Sequence, residues 1–220
     1  MNWKAIFFDL DGTLIHTSPE IADAVNDTLR DIGLPEVTQD QVDRWIGQGT
    51  RELLILAMAH VQQQSTDEVR GSAVFSHALP IFDRQYQARC GTRSELYPHV
   101  RDTLKTLREK NCRLAVVTNK EDRYTQTILK QHNLLQCFDL VVSGDTFADK
   151  KPNPVGVMHG LGRWQIKPAD ALFVGDSSID AATARNAGLS VWLLPYGYNM
   201  GRPVETCSPD RVIQDFSELI

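Results

Sequence analysis

The feature that most constrains this chain is a pair of aspartates, Asp9 and Asp11, directly after an apolar run at positions 5–8. Side chains in a β-strand alternate between its two faces, so residues two apart point the same way. The two carboxylates are therefore expected to converge on one point just past the end of a strand. Gly12 allows the backbone to turn there without a Cβ, and Thr13 adds a hydroxyl beside the carboxylates.

Two carboxylates held this close repel each other unless a hard cation or a shared proton offsets their charge. One of them can then attack a substrate while its neighbour handles a proton, as aspartyl-phosphate chemistry requires. An acidic turn after a buried strand is the plainer alternative. The apolar residues before the pair and the Gly-Thr-Leu after it favour the catalytic interpretation.

Composition excludes several classes of partner. The chain has 220 residues, a net charge of −5 and a pI near 5.7, which argues against binding to nucleic acid or to anionic membranes. Its apolar runs are too short to span a bilayer, and its first residues lack a signal-peptide layout, so we expect a cytoplasmic protein. Four cysteines without a CxxC pair favour reduced, structural thiols over a zinc site.

The order of the predicted elements indicates an α/β fold with an insert. Helical patterns fill the segment after the first strand, at 17–32, 39–46, 51–61 and 66–89. From Pro98 onward, helical patterns at 100–110, 122–132, 154–164 and 178–187 alternate with apolar runs at 113–117, 138–142, 171–174 and 189–194. This alternation predicts a Rossmann-like parallel sheet with helices on both faces, interrupted by an all-helical cap. We expect the core to comprise residues 1–14 and 95–220, and the cap residues 15–94.

Polar residues follow each predicted strand, where ligands bind in an open parallel sheet. Beyond the aspartate pair come Thr118 and Asn119, then Lys150 and Lys151, then a segment from Asp176 to Asp180. Each residue alone has a plainer role, as a helix cap or a solvated surface group. Their joint placement after successive strands predicts an active site.

These segments, DLDGTL, VVTN, KKPNP and VGDSSID, resemble the four motifs of the haloacid dehalogenase superfamily of phosphohydrolases. The resemblance covers essentially the whole chain. The helical insert, and the tail that runs from Pro195 to Gly201, are similar to the phosphoglycolate-phosphatase-like branch of that superfamily.

The resemblance implies a role for each matching residue. Asp9 would be the nucleophile, and Asp11 the general acid and then the base. The remaining roles are Mg²⁺ binding by Asp9, the backbone carbonyl of Asp11 and Asp176; phosphate binding by Thr118 and the backbone N–H of Asn119; charge neutralisation by Lys151; and orientation of the site by Asp180.

The sequence leaves two questions about lysine residues. Lys151 precedes a proline, as in the superfamily motif, so we favour it over Lys150 as the catalytic lysine. Lys120 directly follows the Thr-Asn pair, and the sequence is equally compatible with a role in the pocket and with a solvated side chain.

Selectivity is expected to come from the cap. Gly47 and Gly49 flank Gln48 and break the helical pattern, so a loop could approach a ligand closely there. Arg51 follows this loop and could pair with a substrate carboxylate through its planar guanidinium. A simple helix-to-helix turn with an exposed Arg51 is the alternative.

The resemblance therefore predicts a Mg²⁺-dependent phosphomonoesterase that acts on a small phosphate ester, with 2-phosphoglycolate as the leading substrate. A phosphatase of sugar or amino-sugar phosphates, and a phosphosugar mutase, would use the same aspartates. A catalytically silent phosphate-binding protein on the same fold is a more remote alternative. The sequence does not indicate an oligomeric state.

Overall fold

The computed structural model describes residues 3–220. Its main sheet has six parallel strands in the order β5-β4-β1-β6-β7-β8, and a separate antiparallel pair joins β2 to β3. The strands are β1 (Ala5–Phe8), β2 (Ile15–His16), β3 (Glu95–Leu96), β4 (Arg113–Val117), β5 (Leu140–Val142), β6 (Ala171–Gly175), β7 (Ser190–Leu193) and β8 (Arg211–Val212).

Strand β1 lies at the centre of the sheet and is buried on both faces. It pairs in parallel with β4 on one side and β6 on the other. Ile6 and Phe8 belong to one hydrophobic cluster, whereas Ala5 and Phe7 belong to a second. Since alternate residues reach opposite faces, the sheet is covered on both sides. The predicted α/β class with a parallel sheet is confirmed.

Nine α-helices occur in the described residues. They are α1 (Ser18–Asp31), α2 (Gln39–Asp43), α3 (Thr50–Gln62), α4 (Thr66–Arg70), α5 (Ala73–Arg89), α6 (Val100–Glu109), α7 (Asp122–Gln131), α8 (Val155–Trp164) and α9 (Ser178–Ala187). The first five lie consecutively between β2 and β3, and we call them the helical cap. None of the helices in residues 3–220 combines the length and apolar character needed to cross a bilayer.

Three predicted elements differ from the structure by two residues or more, and one of them is the helical pattern at 39–46, which ends at Asp43 in α2. The helical pattern at 66–89 divides into α4 and α5, because the Ser72 hydroxyl accepts a hydrogen bond from the Phe75 N–H and starts a new helix. The run at 138–142 becomes a strand only at Leu140. Before it, the Asp139 carboxylate takes the Leu114 N–H at 3.0 Å, in place of a backbone acceptor.

The two-residue strands were not predicted from the sequence. Strands β2 and β3 pair Ile15 with Leu96 and His16 with Glu95, so the chain segments that enter and leave the helical cap are held side by side. A strand of two residues is too short for a period-two pattern, and β8 was missed for the same reason.

Candidate active site

The carboxyl ends of β1, β4 and β6 surround one cavity under the helical cap. Because β1 lies between the other two strands, residues from distant parts of the sequence meet there. The core residues that line it include Asp9, Asp11, Thr118, Asn119, Lys120, Lys151, Asp176 and Tyr198. The cap contributes Ile21, Ile46, Gly47, Gly49, Thr50 and Leu53.

Lys151 joins two buried carboxylates. Its Nζ lies 2.5 Å from Asp9 Oδ1 and 2.7 Å from Asp180 Oδ1. Burial raises the pKa of Asp9 to about 7, although Lys151 opposes that rise. Burial acts to lower the pKa of Lys151, but the carboxylates of Asp180 and Asp9 outweigh it and raise that pKa. The structure therefore pairs Lys151, the lysine favoured from the sequence, with the predicted nucleophile.

Asp180 holds the loop after β6 in place. Its Oδ2 accepts hydrogen bonds from the N–H groups of Asp176 and Ser177 and from the Ser177 hydroxyl, at 2.7–3.2 Å. The same contacts form the capping box at the start of α9. Fully buried and bonded through both oxygens, Asp180 is suited to orienting Lys151 and Asp176.

Asp176 is gripped from two sides. The Thr13 hydroxyl donates to Asp176 Oδ1 at 2.8 Å, and the Tyr198 N–H donates to Oδ2 at 2.7 Å. The tail passes so close to this carboxylate that Gly197 leaves no room for a Cβ. Burial, with the nearby charges of Asp180 and Asp9, raises the pKa of Asp176 well above its usual value.

The donor set fits a hard divalent cation. Carboxylate oxygens of Asp9, Asp176 and Asp180 all lie within 4.8 Å of one another. Such oxygens are the ligands that Mg²⁺ prefers, and a cation would offset the repulsion that raises the pKa values of Asp9 and Asp176. Asp180 accepts from the Lys151 ammonium and from three further donors, whereas Asp9 has one contact, to Lys151, and Asp176 accepts from two neutral donors among the described residues. Asp9 and Asp176 are therefore the better candidates among these three carboxylates.

The side chain of Asp11 points to a different set of partners. Its Oδ1 accepts from the Thr17 hydroxyl at 2.5 Å, and its Oδ2 lies 3.1 Å from Lys120 Nζ. The Asp11 carboxylate is thus outside the cluster of three acids. The use of this carboxylate for proton transfer stays a prediction from the sequence.

Lys120 is a site residue on which sequence reasoning was undecided. Only 3% of the residue is exposed, and its Nζ donates to the Tyr86 hydroxyl of α5 at 2.7 Å and lies 4.8 Å from the Tyr86 ring centroid. Burial acts to lower its pKa, but Asp11 together with Cys90 and Glu121 outweighs this and raises it. Its position just after a strand was the only signal in the sequence.

Thr118 and Asn119 line the cavity as predicted for phosphate-binding residues. The Asn119 amide donates to the carbonyl of Gly47 at 3.0 Å and to that of Lys151 at 3.1 Å. One side chain therefore connects the loop after β4 to the cap and to the lysine segment.

The glycine loop of the cap lies against the core. Gly47 and Gly49 have φ values of 129° and 96°, which other residues adopt only with strain. Lys150 Nζ donates to the Gln48 carbonyl at 2.5 Å, and the Thr50 hydroxyl donates to Glu121 at 2.7 Å. The loop therefore lies close to the core, and Lys150 contacts the cap, while the predicted approach of the loop to a ligand stays a prediction.

Arg51 does not reach the site in this structure, contrary to the sequence-based hypothesis. It is exposed, is absent from the cavity lining, and its guanidinium lies 5.0 Å from the Phe75 ring centroid. Thr50 begins α3 and faces the cavity. Since successive helical residues are rotated by about 100°, the next side chain points towards α5 instead.

Tyr198 was not singled out as a functional residue from the sequence. Its hydroxyl accepts from the N–H groups of Thr17 and Ser18, at 3.1 and 3.0 Å, and so caps the start of α1. The Thr17 hydroxyl, which would ordinarily cap this helix, is bonded to Asp11 instead. These contacts depend on folding and leave no local sequence signal.

Comparison with known proteins identifies the family of the chain. Residues 6–194 match the model of the haloacid dehalogenase-like hydrolase family. Phosphoglycolate phosphatase of Nitrosospira multiformis is 38% identical over 98% of this chain and 93% of its own length, and that of Vibrio vulnificus is 38% identical over 99% and 94%. A crystal structure of a predicted phosphoglycolate phosphatase from Haemophilus somnus superposes with a TM-score of 0.90 and 32% identity, covering 100% of this chain and 97% of that one.

The chain belongs to the haloacid dehalogenase-like hydrolase family. The family and these relatives indicate an enzyme of the phosphatase type. The resemblance drawn from the four sequence motifs is thereby confirmed.

Proposed function

We propose that this chain is a Mg²⁺-dependent phosphomonoesterase that hydrolyses 2-phosphoglycolate to glycolate and phosphate. The observation that carries the proposal is the pair of separately supported aspartates at the end of β1. Asp9 is bonded to Lys151 and Asp11 to Lys120, so two neighbouring carboxylates have different surroundings and are suited to different tasks.

In the first half of the proposed reaction, an Asp9 oxygen attacks phosphorus while the bond to the leaving oxygen breaks. Asp11 donates a proton to that oxygen, so glycolate departs as an alcohol and an aspartyl-phosphate remains on Asp9. Lys151 offsets the negative charge of Asp9 and of the phosphoryl group, and Thr118 and Asn119 hold the phosphoryl oxygens. Phosphoryl transfer depends mainly on such positioning and charge stabilisation.

In the second half, water attacks phosphorus and displaces the Asp9 oxygen. Asp11 accepts the proton from that water, which regenerates its acid form, restores the Asp9 carboxylate and releases phosphate. Asp9, the Asp11 carbonyl and Asp176 are the residues that would hold Mg²⁺. The ion, when bound, offsets the charge between nucleophile and phosphate.

The cavity favours a small substrate. Its volume is about 30 Å³ and the helical cap covers it, so we expect substrate to enter when the cap moves. The cap side presents the apolar Ile21, Ile46 and Leu53, which offer no hydrogen bonds to sugar hydroxyls. We therefore propose that residues 15–94 form a cap that closes over a core of residues 1–14 and 95–220.

A panel of phosphate esters tests this proposal. The purified enzyme is assayed with Mg²⁺ on 2-phosphoglycolate, glucose 6-phosphate, an amino-sugar 6-phosphate and ethyl phosphate. We expect kcat/KM to be highest for 2-phosphoglycolate. A higher value for a sugar phosphate would contradict the substrate assignment, and absence of hydrolysis of every ester would contradict the phosphatase.

A further inference from the structure

The positive charges that line the cavity come from two lysines of the core. Among the lining residues described, Lys120 and Lys151 are the cations, while the cap side contributes apolar, glycine and threonine residues. The hydroxyl of Thr50 already donates to Glu121. An anionic leaving group therefore finds its positive partner on the core side of the cavity.

These lysines serve opposite ends of the reaction. Lys151 bridges Asp9 and Asp180, on the side where the nucleophile meets phosphorus. Lys120 lies 3.1 Å from Asp11, the group assigned to protonate the leaving oxygen. Because Asp11 must contact the leaving oxygen to protonate it, the ammonium of Lys120 also lies near the leaving group.

We infer that Lys120 binds the carboxylate of the substrate and so selects 2-phosphoglycolate; this inference rests on the proposed function. The carboxylate of 2-phosphoglycolate is separated from its leaving oxygen by a single carbon. A general acid must lie within hydrogen-bond reach of that oxygen, about 2.6–3.2 Å. The ammonium next to Asp11 is therefore within a few ångströms of the place where the substrate carboxylate lies.

The ammonium has the capacity for this extra contact. A lysine has three N–H donors, and within residues 3–220 the Lys120 ammonium has two polar partners, Asp11 Oδ2 and the Tyr86 hydroxyl. One donor is therefore left without a polar partner among the described residues, and Lys120 lines the cavity. Tyr86 and the buried surroundings hold the ammonium in place, which lowers the entropic cost of using it.

The test compares 2-phosphoglycolate with ethyl phosphate, which has the same two carbons but no carboxylate. In Lys120→Met, kcat/KM for 2-phosphoglycolate should fall about ten- to a hundredfold more than kcat/KM for ethyl phosphate. Any damage to Asp11 or to the fold affects both substrates and cancels in the ratio. Arg51→Ala removes an exposed cap cation and should leave the ratio within about twofold.

A binding measurement keeps the test decisive if Lys120→Met has no turnover. Calorimetric affinities of both esters are measured in the Asp9→Asn background, with and without Lys120→Met, after thermal melts confirm that both proteins are folded. The added substitution should weaken 2-phosphoglycolate about ten- to a hundredfold and ethyl phosphate less than about threefold.

Each outcome has a distinct meaning. Equal losses for both esters, or no loss for either, would overturn the role of Lys120 while leaving the phosphatase proposal intact. A wild-type enzyme that does not prefer 2-phosphoglycolate to ethyl phosphate would overturn the substrate assignment, and this inference with it.

Discussion

The two lysines of the site, Lys120 and Lys151, are both buried, but their bonding partners come from different parts of the molecule. Lys151 is bonded to Asp9 and Asp180, and all three residues belong to the core. Lys120 is bonded to Asp11 of the core and to Tyr86 of the helical cap. One charge cluster is complete without the cap, whereas the other is shared with it.

The contacts of Lys151 lie within the core, whereas those of Lys120 depend in part on the position of the cap. The partners of the Lys151 ammonium are core residues, so we expect them to keep their contacts if the cap moves as proposed. The contact between Lys120 and Tyr86 joins core to cap, so we expect the same movement to alter it. We therefore expect the Asp11–Lys120–Tyr86 cluster, which faces the leaving group, to be complete only when the cap is closed. Substrates would then be selected at the closing step.

The largest expected effect comes from replacing Asp9, the proposed nucleophile, which is paired with Lys151 within the core. Asp9→Asn keeps the shape of the side chain but not its charge, and turnover of 2-phosphoglycolate should fall about a thousandfold or more. Steady-state phosphate release measures this, with circular dichroism as a check on folding. A loss of less than tenfold would place the nucleophile elsewhere and break the comparison.

We expect activity to depend on a metal ion held by core residues. EDTA should abolish activity and Mg²⁺ should restore it, because the buried charges of Asp9 and Asp176 need a cation between them and the phosphate. Asp176→Ala should raise the Mg²⁺ concentration needed for half-maximal activity at least about tenfold. Full activity in exhaustive chelator would contradict the metal assignment.

Adjacent lysines allow a matched test of stability. Lys151→Met leaves two buried carboxylates without their cation and should lower the free energy of unfolding by about 3–5 kcal/mol. Lys150→Met removes an exposed lysine at the next position and should cost less than about 1 kcal/mol. Urea unfolding at neutral pH measures both, and equal losses would show that Lys151 is not the buried support that the structure indicates.

The smallest effect concerns a buried carboxylate that has no salt-bridge partner among the described residues. Glu20 Oε2 accepts from the N–H groups of Gly91, Arg93 and Ser94, where the chain leaves the cap. Burial raises the pKa of Glu20 above its ordinary 4.5, against the lowering effect of the hydrogen bonds. The folded state therefore holds this proton to higher pH than the unfolded state does.

Stability should accordingly decline as pH rises from about 4.5 through the raised pKa of Glu20, since the unfolded chain gives up that proton first. Glu20→Gln should make the free energy of unfolding depend less on pH over that range. Glu95→Gln is the control, because Glu95 is exposed and directly follows Ser94. It should leave the pH dependence of the free energy of unfolding unchanged. An unchanged slope in Glu20→Gln would contradict the assignment.

The sequence predicted those parts of the site that local rules determine. Asp9, Thr118 and Asp176 each follow a strand, and parallel strands bring their carboxyl ends to one edge of the sheet. The contact between Lys120 and Tyr86 joins segments 34 residues apart, so it had no local signal. Arg51 was misplaced because the direction of its side chain depends on where α3 begins, which the glycine pattern did not determine.

Tyr198 connects the carboxylate of Asp176 to the entrance of the helical cap. Its N–H holds the Asp176 carboxylate, and its hydroxyl holds the first turn of α1, where the chain enters the cap. Thermodynamic linkage makes any coupling through this residue reciprocal. A ligand that stabilises one arrangement of Asp176 would favour one setting of the cap entrance, and a change in the cap would alter ligand affinity at Asp176 by the same factor.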